Sequence, residues 1–251
     1  MTKNLPHVLY KQFPPVRLFR RNAKLAPRMS RKKALTGLFF CGIHMVEIIT
    51  KNPTVIAFFD GQNLFNAAKK AFGYTFPNYD VKALSHAICE QKGWLLSGVR
   101  FYTGVPSEKD HSERNRFWSK KFLHLRHQKV FVFSRPVRYI SKTITLPDGT
   151  KQKAVVGDEK GIDVRLAVDV ISLAHKRAFD VALIFSQDQD LSEVADEIRT
   201  IAQEQNRWIK IVSAFPVNPT EKHLNRGINK TDWIPFSKDF YDACIDPRDY
   251  R

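Results

Sequence analysis

The apolar positions fall into short unbroken runs separated by stretches with helical spacing. Thr54-Val-Ile-Ala-Phe-Phe59 and Val181-Ala-Leu-Ile-Phe185 are continuous runs of β-branched, aliphatic and aromatic residues, the pattern of strands buried on both faces. Trp94 to Val105, Lys129 to Phe133 and Trp208 to Val212 supply three further strands. Between them apolar residues recur every three or four positions. Helices are predicted over residues 62–72, 80–91, 107–128, 161–176 and 190–203, the second carrying Val81, Leu84 and Ile88 on one face. Arg138 to Val155 predicts a hairpin turning at Pro147-Asp148-Gly149. From about Asn229 the pattern is ambiguous. Strands alternating with helices predict an α/β domain with a mostly parallel central sheet covered on both faces. In such sheets the functional crevice lies beyond the carboxyl ends of the strands.

The first 50 residues break this pattern. Residues 1–44 hold ten Lys or Arg, four prolines and no acid, which reads as a flexible basic extension. The apolar stretch after Arg31-Lys32-Lys33 only loosely matches a signal peptide and lies far from Met1. A transit peptide or a true start at Met29 or Met45 are the other readings. Residues 51–215 form the predicted domain, and residues 216–251 a C-terminal extension packed on it or trailing it.

Composition narrows the function. The 251-residue chain has a formal charge of +16 with 43% hydrophobic residues, enough for a substantial core and suited to a polyanionic partner. Three scattered cysteines (Cys41, Cys89, Cys244) give neither a disulfide framework nor zinc-ligand spacing, and a reducing, cytoplasmic setting is expected. No apolar run reaches the roughly 18–20 residues of a membrane helix, so no membrane partner is expected.

Two of the apolar runs end in acid: Phe58-Phe59-Asp60, and Phe185-Ser186-Gln187-Asp188-Gln189-Asp190. A third acid, Asp163, opens the predicted helix in Lys160-Gly161-Ile162-Asp163. Each has a plain explanation alone. Asp60 suits a turn before a helix, Asp190 and Glu193 have the spacing of a capping box, and Asp163 suits a positive helix end. In a parallel sheet, however, the strand ends gather on one edge, and Asp60, Asp163, Asp188 and Asp190 are expected to converge within a few ångströms. Carboxylates gathered so closely repel one another, a cost that a divalent cation removes. Oxygen ligands suit Mg²⁺ or Mn²⁺, the equipment for phosphodiester cleavage. Asp169 lies six residues beyond Asp163, about 120° round the helix. It is assigned to supporting the metal ligands, to replacing one of them, or to structure.

These segments together resemble the NYN domain, a branch of the PIN-like nucleases. The resemblance is carried by Ile56-Ala-Phe-Phe-Asp60-Gly61-Gln62-Asn63-Leu64, Arg100-Phe-Tyr-Thr-Gly104-Val-Pro106, Lys160-Gly-Ile-Asp163-Val-Arg-Leu-Ala-Val-Asp169 and Asp180-Val-Ala-Leu-Ile-Phe-Ser186-Gln-Asp188-Gln-Asp190-Leu191, over about residues 53–215. It implies a three-layer α/β/α, Rossmann-like (PIN-like) domain that binds Mg²⁺ or Mn²⁺ and cleaves RNA. By motif, Asp60, Asp163, Asp188 and Asp190 would be the acidic site. Asn63 would orient a ligand or Asp60, Lys160 would approach the scissile phosphate, and Ser186 would hydrogen-bond an acid or phosphate. Each has a plainer role as well: helix capping for Asn63, a surface lysine for Lys160, turn chemistry for Ser186. Positions 187 and 189 are Gln where the family often has Gly, which predicts a stiffer Asp188 loop.

Nine Lys or Arg and no acid lie between Arg114 and Leu146. Arg114, Arg116, Lys120, Lys121, Arg126, Lys129, Arg135 and Arg138 form the candidate strip for RNA phosphates, with most of the interleaved aromatics expected in the core. The expected function is a Mg²⁺- or Mn²⁺-dependent endoribonuclease. The alternative is a non-catalytic RNA-binding or regulatory protein that keeps the fold. A flap-type DNA nuclease and a nucleotide-binding Rossmann enzyme rank lower, the latter because no Gly-rich phosphate loop follows the first strand. Oligomeric state is open, a homodimer being one form.

Overall fold

A computed structural model describes residues 52–145, 149–158 and 160–250. The readings made for the basic extension therefore lie outside the described residues. Strand β1 (Thr54–Asp60) leads into helix α1 (Gly61–Phe72), followed by α2 (Val81–Lys92), β2 (Leu95–Val105), α3 (Ser112–His127) and β3 (Phe131–Pro136). The antiparallel hairpin β4 (Arg138–Thr145) and β5 (Lys151–Asp158) comes next. After it come α4 (Ile162–His175), β6 (Val181–Phe185), α5 (Ser192–Glu204), β7 (Lys210–Pro216), β8 (Asp232–Phe236) and α6 (Lys238–Asp242).

Six strands form one sheet in the order β3-β2-β1-β6-β7-β8, every neighbouring pair parallel. The alternation of side chains along each strand supplies two cores. One face of the sheet packs Val55, Ala57, Phe59, Leu183 and Phe185 against Leu64 and Ala68 of α1, Leu84 and Ile88 of α2, and Phe122 and Leu125 of α3. The other packs Phe58, Ala182 and Ile184 against Leu166 and Val170 of α4 and Ala195 and Ile198 of α5. This is the three-layer α/β/α arrangement expected from the sequence. Phe59 and Phe185 stack across the β1–β6 pair with ring centroids 4.0 Å apart.

The strand order reverses between β1 and β6. The chain first builds outward from β1 through β2 to β3, then crosses back to β6 and builds the other way. That junction is the switch point at which open parallel sheets bind ligands. It places Asp60, the last residue of β1, beside Ser186, the first residue after β6.

Local chemistry explains the helix boundaries. Asp60 and Asp80 are N-caps, accepting from the Asn63 amide at 3.1 Å and from the Lys82 and Ala83 amides at 2.8 and 3.1 Å. Gly61 has an ordinary backbone. What fixes it is space, since a Cβ there would lie 2.6 Å from the Phe101 ring. Two predicted helix starts move, those of α3 and α5. Helix α3 starts at Ser112 rather than Ser107, because Ser107 to His111 close a turn, with the His111 amide donating to the Ser107 carbonyl at 3.0 Å. The Asp190–Glu193 capping box does not form. Instead Asp188 accepts from the Asp190 amide at 3.1 Å and caps a single 3₁₀ turn, Gln189–Leu191, ahead of α5. The ambiguous tail resolves as β8, an edge strand of the sheet, and α6. The last residues then return to the first face, where the Asp246 amide donates to the Asn78 carbonyl at 2.8 Å.

Lys121 departs from its predicted place on the RNA-facing strip. It is 1% exposed, and its ammonium donates to the carbonyls of Pro77 and Tyr79 at 3.2 and 3.0 Å, 3.6 Å from Asp246. The Tyr79 and Tyr250 rings flank it. It fastens α3, the 77–80 segment and the C-terminus together. The count of basic residues along α3 could not separate it from its neighbours because its alkyl stem follows the buried stripe of Trp118, Phe122 and Leu125.

Candidate functional site at the carboxyl edge of the sheet

Asp60 is 7% exposed. One carboxylate oxygen caps α1 through the Asn63 amide, and the other accepts from the Ser186 hydroxyl at 3.1 Å. The Ser186 oxygen in turn accepts from the Asp188 amide at 3.1 Å. The Asn63 side-chain oxygen accepts from the Gln187 amide at 2.9 Å. So both ends of the Asp-Gly-x-Asn motif grip the loop that follows β6, and the loop's own turn is closed by Asp188 onto Asp190. Asp188 is half-buried and Asp190 exposed.

Gln187 and Gln189, expected only to stiffen the loop, make structural contacts. The Gln187 side-chain amide donates to the carbonyls of Leu224 and Arg226 at 2.7 and 2.8 Å. The Gln189 amide donates to the Gly227 carbonyl at 3.0 Å, and its oxygen accepts from the Asn229 amide at 3.1 Å. The Asp188 loop is thereby tied to the loop between β7 and β8.

Asp163 sits in the first turn of α4, half-buried. Because α4 precedes β6, its first turn lies toward the carboxyl edge and its last turn toward the start of β6. Gly161 precedes it in the left-handed conformation, φ 73°, and Lys160 is exposed, its carbonyl accepting from Arg135 at 3.3 Å. Asp169 is not at the rim. One of its oxygens accepts from Arg100 at 2.9 Å and the Tyr102 hydroxyl at 2.8 Å, the other from Arg165 at 2.9 Å. Burial opposes its charge, but the hydrogen bonds from Tyr102 and Arg100 and the two guanidinium charges outweigh burial and hold the carboxyl below its ordinary value. Burial is also the main reason that the Tyr102 hydroxyl is raised far above its ordinary value. Of the three roles open to Asp169, these contacts suit the structural one.

The expectation that four aspartates meet in one tight cluster needs correction. Among the described residues no group of three or more His, Cys, Asp or Glu is set to hold a metal ion. Asp60, Asp188 and Asp190 are linked through Ser186 and the intervening backbone, while Asp163 lies on the first turn of α4. Mg²⁺ keeps several waters and uses one or two carboxylates plus substrate phosphate rather than an all-protein cage. The donors here are all oxygen and fit an ion of that kind.

Of the predicted phosphate-facing residues other than Lys121, Arg114, Arg116, Lys120, Arg126, Lys129, Arg135 and Arg138 are all exposed. Sequence reasoning missed Lys70 and Arg226, which with Asn63 and Gln187 line a cavity of about 280 Å³ beside Asp60. The rule that ligands sit beyond the carboxyl ends of strands pointed to the segment after β7, but nothing in its own pattern singled out Arg226.

Residues 54–226 match the NYN domain. The chain belongs to the NYN family of the PIN-like superfamily. NYN domains are in general nucleases and usually use divalent metal ions, so a nucleic-acid substrate follows for this domain. A search of curated proteins gives no match. Among solved structures, a protein of unknown function from Vibrio parahaemolyticus is 18% identical, with a TM-score of 0.44 over 78% of this chain and 97% of that one. Giardia lamblia ribokinase is 12% identical, with a TM-score of 0.35 over 73% of this chain and 55% of that one. Among the described residues no helix is long and apolar enough to cross a membrane.

Proposed function

We propose that this NYN domain is a Mg²⁺- or Mn²⁺-dependent endoribonuclease whose reaction centre is the rim between β1 and β6. The observation that carries the reading is the connection from Asp60 through Ser186 to Asp188 at the sheet's switch point. Asp60 and Asp188 would hold the ion, with Asp163 and Asp190 reaching it directly or through water. When bound, such an ion lowers the pKa of a water molecule and neutralises charge on the phosphate.

The remaining residues bind and orient. Ser186 and Asn63 fix the Asp60 carboxylate and the Asp188 loop against each other, so neither must be ordered when substrate arrives. Lys70 and Arg226 of the adjoining cavity would pair with phosphate oxygens, and Lys160 would approach the scissile group from the start of α4. The exposed cations from Arg114 to Arg138 would follow the strand's backbone. In-line attack by water breaks the P–O3′ bond, leaving a 5′-phosphate and a 3′-hydroxyl.

A second reading has one observation in its favour. The exposed cations from Arg114 to Arg138 would bind RNA whether or not the rim cuts it. Incubating the purified full chain with end-labelled single-stranded RNA and Mn²⁺, with and without EDTA, separates the two. Chelator-sensitive cutting to 5′-phosphate products is expected. Binding with no cutting in either condition would establish the second reading.

A further inference from the structure

A cavity adjoins the rim on the side away from α4, and neither the acidic site nor the phosphate-binding residues above explain it. Its volume is about 730 Å³, within the roughly 300–1,000 Å³ of ordinary ligand sites. Five segments form it: the outer face of α1, residues 75–77 that follow it, the carboxyl end of β2, the start of α3 and the base of the β4–β5 hairpin. It begins two residues from the reaction centre along either neighbouring segment. Gln62 follows Asp60 by two positions on α1, and Gly104 follows Tyr102, the register partner of Asp60, by two on β2.

Its chemistry is that of a nucleobase site. Phe76, 37% exposed, and the half-buried Tyr139, whose ring meets His111 edge-on at 5.5 Å, bring aromatic rings to its wall. Gln62 and Asn66, one helical turn apart on α1, both exposed, present amides that can donate and accept. Those are the groups that stack on an unpaired base and bond its edge. Arg114, exposed in the cavity wall, supplies a cation for the phosphate that comes with the base, and Glu113 beside it can accept from an exocyclic amine. A neutral peptide of similar size would bring no negative charge to match the exposed cations of α3, whereas every nucleotide of a strand carries one. A duplex would keep its bases stacked inside and could not fill the cavity.

We infer that this cavity takes one unstacked base of a single-stranded RNA, next to the phosphodiester that the Asp60 rim cuts. The inference rests on the nuclease reading for the identity of the strand. The base is held by rings and amides while the cations hold the backbone, so the two contributions are separable.

The test measures binding in EDTA, where no cutting can occur. Two hexanucleotides are compared on the full chain: one built entirely of stable abasic ribose spacers, the other identical but carrying one base. The single base is expected to tighten binding about tenfold, the scale of one stacked base. In Phe76→Ala and in Tyr139→Ala that gain is expected to fall to about twofold or less, while the affinity for the fully abasic strand stays that of the wild type. Unchanged abasic binding also shows that each variant is folded. Equal affinity of the wild type for both strands, or a gain that survives both substitutions, would overturn the inference. The same preparation is then assayed for Mn²⁺-dependent cutting of ordinary RNA. Cutting without a base-dependent gain overturns the pocket and leaves the nuclease reading intact. A base-dependent gain without cutting upholds the pocket and removes the nuclease reading.

Discussion

The Ser186 hydroxyl donates to the Asp60 carboxylate across 126 positions of sequence, at 3.1 Å, and 99% of Ser186 is shielded from solvent. This bond joins the ends of the two central strands where the sheet changes direction. It converts an N-capping aspartate, an ordinary helix-start device, into one half of a paired rim. The same residue does both jobs because a carboxylate has lone pairs enough to cap a helix and accept a second donor.

The glutamines at 187 and 189 should matter for activity more than for stability. Gln187→Ala removes two bonds to the loop between β7 and β8, costing about 1 kcal/mol of stability. Loss of registration of Asp188 should lower the cleavage rate about tenfold or more. Urea unfolding alongside single-turnover cleavage checks both. Wild-type cleavage by Gln187→Ala and Gln189→Ala would remove the positioning role.

Asp169 should set part of the acid sensitivity of the fold. Its folded-state pKa lies below the ordinary 3.8, so the stability it contributes is fully present above that value and is lost as pH falls through the lower folded value. Asp169→Asn should flatten the drop in stability below about pH 4. Asp169→Ala, which strands Arg100 in a site where that side chain is 20% exposed, should cost about 3 kcal/mol at neutral pH. Chemical denaturation from pH 3 to pH 7 reads both effects. Asp246, also lowered with burial opposing and Tyr250 and Lys121 assisting, leaves a residual acid dependence in either variant.

Lys121 and Arg114 should separate cleanly. Lys121→Met, replacing a buried ammonium that burial itself pulls below its ordinary pKa, should lower stability by about 2 kcal/mol by removing its bonds to the Pro77 and Tyr79 carbonyls and its charge beside Asp246, which keeps Arg248 and Tyr250, with RNA affinity intact in the folded fraction. Arg114→Ala should leave stability within about 0.5 kcal/mol and weaken RNA binding, with a shallower salt dependence. Filter binding at two salt concentrations, with thermal melts, distinguishes them.

Gly61→Ala tests why the motif has a glycine there. The new methyl group meets the fully buried Phe101 ring, and overpacking of this kind costs about 1–3 kcal/mol. A melting temperature equal to the wild type's would show that the ring yields without cost.

The layer order was legible because β1 and β6 are uninterrupted apolar runs and α5 carries a regular buried stripe. Those patterns depend only on burial, which local sequence records. The rim was legible in part. Asp60 and Asp188 could be placed at strand ends from pattern alone, whereas the cap that Asp188 makes in place of Asp190 depends on how Asn63 and Ser186 pull the loop. That is a contact between segments 124 positions apart, and no local pattern records it. Lys121 was misplaced for a related reason, since its partner Asp246 comes from a tail whose own sequence is ambiguous. The glutamines at 187 and 189 looked like mere stiffening until the β7–β8 loop supplied their carbonyls.

The most direct test compares cleavage of one unstructured, end-labelled RNA by the full-length wild type, Asp60→Asn and Asp188→Asn in Mn²⁺, with RNA binding matched in EDTA. Asparagine still caps helices, so both variants should fold and bind as the wild type does. The account predicts a fall in cleavage of about a hundredfold or more in each, and none of the three cutting once EDTA is added. Wild-type cleavage by the Asp60→Asn protein, free of host nuclease, would contradict it.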